Sequence, residues 1–147
     1  MIKYFYLVTF EYLTDENYNS EFDLGVFSTR RNAEKKVKDS AKLTGFNQYD
    51  IKNFKIIKFG VDFDIEIKNK SNIILYCVTH EYENDGFTYW NIFDYLCSFE
   101  KANLKVEELK KRSRIGKKYP NNFEVVEIEV DCYNSWSEGF EILNKNI

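Results

Sequence analysis

The chain has 147 residues and a formal net charge of −3, with 13 Phe, 11 Tyr and 2 Trp. That length is enough to bury roughly two thirds of the unfolded surface in one core without metal or disulfide staples. The small acidic balance argues against a protein built mainly to coat nucleic acid, no apolar run reaches the roughly 18 residues of a membrane helix, and no catalytic signature, phosphate loop or metal-ligand spacing is present.

Tyr4, Tyr6, Val8, Phe10 and Tyr12 alternate with Phe5, Leu7, Thr9 and Glu11, a period of two that predicts a strand. The same stretch lacks a small-residue cleavage site, so it reads as a strand and not as a signal peptide, and a cytoplasmic protein is expected. A polar connection over 13–21 leads to a second strand at Phe22 to Phe27. Ser28 or Thr29 can cap a helix whose Ala33, Val37 and Ala41 share one face, with Lys35, Lys38 and Lys42 outside it and Thr44-Gly45 ending it. From Phe54 a third strand is predicted, with Ile57, Phe59, Val61 and Phe63 on its core face and Ile65 and Ile67 continuing the alternation.

Residues 68–72 (KNKSN) form the only composition shift resembling a linker. Beyond it the plan returns: a strand over Ile73 to Tyr82, a turn at Glu83 to Gly86, a strand over Phe87 to Cys97, and a helix capped by Ser98 with Ala102, Val106 and Leu109 inside. Gly116 is expected to end this helix, before Pro120, and Phe123 to Cys132 to form the last strand. Trp136 to Phe140 (WSEGF) with Ile142-Leu143 read as a tail folded back over a sheet end.

The two halves match in register. Tyr6, Val8, Thr9, Glu11 and Tyr12 lie 70 residues before Tyr76, Val78, Thr79, Glu81 and Tyr82, and Ser28 stands in the same relation to Ser98. The step becomes 69 for Ala33, Val37 and Phe54 against Ala102, Val106 and Phe123. The expected architecture is therefore α+β: an internal duplication of a ββαβ unit, with antiparallel-rich sheets, one helix per unit, and the two units packed as a pseudo-two-fold pair. Residues 1–67 form the first repeat and 73–147 the second, together one compact domain and a monomer. Cys77, Cys97 and Cys132 align with Leu7, Phe27 and Phe63, so they are expected as core cysteines, not as a metal or redox site. The single histidine, His80, aligns with Phe10 and is read as a packing residue.

Three stretches could carry binding. Lys110, Lys111, Arg112, Arg114, Lys117 and Lys118 crowd one run beside Tyr119. Such a run either grips phosphates, with the tyrosine stacking on a base, or simply complements the negative end of a helix. Glu127, Glu129 and Asp131 are expected on one strand face, as a solvated surface or as a recognition face for a cationic partner. Phe87, Tyr89 and Trp90 follow Glu83 and Asp85 at the hairpin tip, where they either pack between modules or anchor a protein partner.

A Tyr-bearing first strand, a second strand ending near Ser with Ala a few residues on, and a late Phe-x-Val-x-x-Ile followed by Asp and W-S-E-G-F together resemble small bacterial domains of unknown function. The pattern is fullest over Tyr76 to Phe140, while the first copy lacks a counterpart of Trp136. The resemblance implies the fold and a bacterial setting, and it carries over no catalytic residue. The expected function is a non-enzymatic protein-binding module, an inhibitor or immunity-type protein that occludes a toxin or effector and needs neither cofactor nor metal. The alternative is a nucleic-acid-associated regulatory domain using the basic run.

Overall fold

The computed structural model describes residues 1–14, 19–64 and 72–141. The linker residues 68–71 and the side chains expected at Ile65, Ile67, Ile142 and Leu143 lie outside them. Strands β1 (Ile2–Leu13), β2 (Asn19–Phe27) and β3 (Phe54–Asp62) form one sheet in the order β2-β1-β3, and β4 (Ile74–Asn84), β5 (Phe87–Leu96) and β6 (Phe123–Glu129) form a second in the order β5-β4-β6. Both sheets are three-stranded and antiparallel, and with helices α1 (Arg30–Ser40), α2 (Phe99–Arg112) and α3 (Arg114–Lys118) they make an α+β protein. None of these helices is long and apolar enough to cross a membrane.

The chain divides into two compact units that exchange their ends. Tyr4–Gly60 and the chain from Val130 onward form one, the β1–β3 unit; Met1–Lys3 and Val61–Glu129 form the other, the β4–β6 unit.

In the β1–β3 unit the period-two pattern places Val8 and Phe10 of β1, Leu24 and Phe27 of β2, Ala33 of α1 and Phe46 and Phe54 in one core, with Val37 and Ala41 packed against it. Thr29 caps α1, its hydroxyl accepting from Asn32 N at 3.1 Å. The core face of β3 departs from expectation at its start, while Val61 and Phe63 are buried as expected. Phe54 is buried and Ile56 packs on this core, while Ile57 is 46% exposed. The reason is that β3 uses both faces: Phe54 and Ile56 point to the helix side, and Phe59 meets the buried Phe5 on the other side, ring centres 6.0 Å apart. Two short 3-10 turns, Phe46–Gln48 and Ile51–Asn53, lead into β3.

The end of the chain completes this unit. Lys36, only 3% exposed, donates its ammonium to the carbonyls of Tyr133 and Ser135 at 2.9 and 2.7 Å, and burial pushes its pKa down. Trp136 stacks on Phe22 at 4.3 Å, and Phe140 lies within 6.0 Å of Phe10, Tyr12, Phe22 and Phe46. A Cβ on Gly139 would stand 2.1 Å from the Thr44 carbonyl oxygen, so glycine is required for the tail to approach this closely.

In the β4–β6 unit, Val78, Ala102 and Val106 are the buried centre, with Tyr76, Phe93, Leu96, Leu109, Phe123 and Val125 around them. Ser98 caps α2, accepting from Lys101 N at 3.1 Å. The helix ends earlier than expected, at Ser113 and not Gly116. Ser113 adopts an extended backbone and its hydroxyl accepts from Gly116 N, which starts α3 and gives this unit a second short helix. Gly116 is instead a packing residue, because a Cβ there would meet the Leu109 carbonyl oxygen at 2.2 Å. Cys77 is buried and Cys97 and Cys132 are half-buried, and none of the three is in a disulfide.

Candidate functional site

The β4–β5 hairpin closes on Asp85 and Gly86, both at positive φ (52° and 81°), the backbone that a two-residue hairpin turn with the strands' own twist requires. β5 is an edge strand, and although its sequence is FTYWNIFDYL none of its residues is buried. Phe87, Tyr89 and Trp90 are 49%, 43% and 51% exposed, values far above those of the core.

The pleat separates them. Tyr89 pairs with Tyr82 in the register and stacks on it at 5.0 Å; Tyr82 in turn stacks on Tyr119 at 5.0 Å, with Lys118 Nζ 5.5 Å from the Tyr119 ring. Behind this row lies His80, fully buried, its Nε2 2.9 Å from the Tyr119 carbonyl oxygen. That oxygen can only accept, so Nε2 carries the proton. Nδ1 has no partner among the described residues, and the ring is packed by Phe93 and Phe123.

Trp90 lies on the opposite face, paired with Glu81. Together with Thr79, Asn122 and Glu124 these side chains line an open depression of about 300 Å³. Asn122 is held there by donating its amide to the Glu81 carbonyl at 3.0 Å. Glu83, two residues on from Glu81, falls on this face too. Glu81, Glu83 and Glu124 are exposed and make no ion pair among the described residues. The strands themselves are one-signed: β4, β5 and β6 contain no Lys or Arg at all.

The expected acidic row splits. Glu127 and Glu129 are exposed on β6 and line a second depression with Asn72 and Ile74. Asp131 lies beyond the strand's end, at positive φ (60°), in the other unit. There its carboxylate accepts from Ser28 N, Ser28 Oγ and Asn32 Nδ2 at 2.9, 2.6 and 3.2 Å, so it serves the start of α1 and is not part of an open surface. The basic run spans the break between α2 and α3. Lys110 and Arg112 pair with Glu107 and Glu108 of their own helix, while Lys111, Arg114, Lys117 and Lys118 make no ion pair among the described residues.

Glu81, Glu124, Asn122 and Tyr82 join these surfaces without being singled out by sequence as site residues, whereas Tyr119 is the residue that the nucleic-acid reading of the basic run names for stacking. The signal was in the register match between the two halves: Glu124 falls 69 residues after Lys55, and Trp90 is paired with Glu81 as Glu21 is with Glu11. Among the described residues no group of three or more His, Cys, Asp or Glu side chains is placed to hold a metal ion. No protein-family profile, curated protein or solved structure matches the chain.

Proposed function

We propose that the protein is a non-enzymatic binding module of inhibitor or immunity type, which covers a bacterial toxin or effector and acts as a monomer in the cytoplasm. The observation that carries this reading is the β4–β5 hairpin: an edge strand with three large aromatic side chains near half exposed, flanked by Glu81 and Glu83. A long apolar edge strand without Lys or Pro is a liability unless something covers it. Exposed Trp and Tyr are also the side chains that most often anchor protein partners. The partner that co-purifies with the tagged chain from its own host, once re-expressed, provides the test. Tyr89→Ala or Trp90→Ala is expected to weaken the complex by about 30-fold or more while leaving the isolated fold intact. Wild-type affinity in both variants would remove the hairpin from consideration.

The second reading, a nucleic-acid-associated regulatory domain, is favoured by the Tyr89–Tyr82–Tyr119 row beside Lys118 and the unpaired cations Lys111, Arg114 and Lys117. In that case binding falls steeply with salt, and each phosphate-contacting cation removed lowers the slope by about one.

We also propose that the chain is a duplicated ββαβ unit of the kind found in small bacterial domains. Two features of the paired sheets support it. The β1–β2 and β4–β5 ladders each slip register at the same place, between Val8 and Thr9 and between Val78 and Thr79. The ring pairs Phe10–Tyr12 and His80–Tyr82 are both 5.9 Å apart, and Phe10–Phe54 and His80–Phe123 are 4.8 and 4.6 Å apart.

A further inference from the structure

The two units treat one position of the sheet in opposite ways. In the β1–β3 unit, Glu11 pairs in the register with Glu21, and Lys55 reaches the Glu11 carboxylate at 3.0 Å. Glu21 is raised by burial, by Asp23 and by Glu11, and the Lys55 charge relieves it. Asn53 donates to the Glu11 carbonyl at 2.9 Å, as Asn122 donates to the Glu81 carbonyl at 3.0 Å, so the local backbone is the same in both units. In the β4–β6 unit the partner of Glu81 is Trp90 in place of Glu21, and Glu124 stands in place of Lys55. The cation that closes the arrangement is missing, and a half-exposed indole lies beside the two carboxylates instead.

We propose that this depression receives an Arg or Lys side chain from an extended basic segment of a protein partner. The cation would lie against the Trp90 ring and between Glu81 and Glu124, taking the role that Lys55 plays in the other unit. An indole face and carboxylates attract the same cation, and desolvation under a partner strengthens both contacts. The absence of any Lys or Arg from the three strands means that nothing on the sheet competes for the place. It also makes the same sheet of a second copy an unsuitable occupant, since two such sheets would bring carboxylates together. This assignment rests on the protein-binding reading and specifies the chemistry of the partner.

The test uses the full chain with Trp136→Phe, which leaves Trp90 as its one indole, and a short capped peptide alternating threonine and arginine. The peptide is expected to quench Trp90 emission saturably, and the same peptide with citrulline for arginine to leave it unchanged. Glu124→Lys restores the arrangement of the other unit, so it is expected to weaken binding by about tenfold or more, with Glu81→Gln and Glu124→Gln intermediate. No quenching up to millimolar arginine peptide, equal quenching by the citrulline peptide, or an unaltered response in a folded Glu124→Lys protein would each overturn the assignment. A purified partner whose binding withstands Glu124→Lys but fails with Tyr89→Ala defeats this assignment and leaves the binding-module reading standing. A chain with no protein partner defeats that reading, and the peptide titration still decides what the depression takes.

Discussion

Asp23 on β2 has its pKa raised by burial, and Glu21 beside it is raised by burial, by the Asp23 charge and by Glu11. A raised carboxyl favours the protonated form in the folded chain. The stability it contributes is complete below the ordinary carboxylate range and is lost as pH rises through the raised value. Asp23→Asn removes the desolvated charge and eases Glu21. It is expected to raise the urea midpoint near neutral pH and to leave it unchanged below the ordinary carboxylate range; a lower midpoint at neutral pH would contradict the burial account. Neither effect was legible in the sequence, which reads Glu21 as the end of a polar connection and Asp23 as a strand residue with no sign of its depth; β2 in fact begins at Asn19. Asp131 was misleading in the other direction. Strand alternation grouped it with Glu127 and Glu129, yet it leaves the strand and binds the start of α1. The register match between the halves held a hint, because of these three acids only Asp131 has an acidic residue, Asp62, 69 positions before it.

At the scale of elements, the sequence revealed strands and helices wherever an apolar period, a cap or a turn dipeptide fixed them locally. Thr29 and Ser98 cap the two long helices, and Asp85-Gly86 closes the second hairpin. It revealed less where tertiary packing decides. β3 changes its buried face midway, and the break at Ser113 turns the basic run into two short segments. The C-terminal tail was recognised as folded back, but not as lying against the Phe10 ring cluster. Its fit is strict. Gly139 has φ 77°, and any Cβ there strikes the Thr44 carbonyl oxygen, while Phe140 N donates to that same carbonyl at 2.9 Å. Gly139→Ala combines a positive-φ penalty with a backbone collision, and is expected to cost about 2 kcal/mol or more. The Trp136 indole, stacked on Phe22, reports the change directly. A wild-type urea midpoint with unshifted emission would mean that the tail is not held as described.

Over the whole molecule, charge and connectivity carry most of the argument. A net charge of −3 conceals a local separation, with six carboxylates and no Lys or Arg on β4, β5 and β6 but five cations against three carboxylates on α2. Total composition could not reveal this, because the separation appears only once strands and helices are assigned. Connectivity leads to the sharpest global expectation. Division of the chain within residues 68–72 yields two pieces near 70 residues, a size at which a single core is marginal. The exchange of ends makes matters worse for the first piece. Residues 1–67 lack Asp131, which takes three hydrogen bonds from Ser28 and Asn32; Tyr133 and Ser135, whose carbonyls satisfy the buried Lys36 ammonium; and Phe140, which joins the Phe10 ring cluster. Loss of the tail leaves the Lys36 ammonium to water and removes the rings packed on Phe10 and Phe22, a loss of core that a piece of marginal size withstands poorly. Residues 73–147 keep β4, β5, β6 and α2 together and lose only Met1–Lys3 and the segment from Val61. The expected outcome is therefore asymmetric: far-UV circular dichroism finds 1–67 unfolded, finds 73–147 weakened but retaining structure, and recovers the full spectrum on mixing, with the Trp136 emission returning as the tail finds Phe22. If 1–67 alone folded with the stability of the intact chain, the tail would be an accessory and not a part of the β1–β3 core.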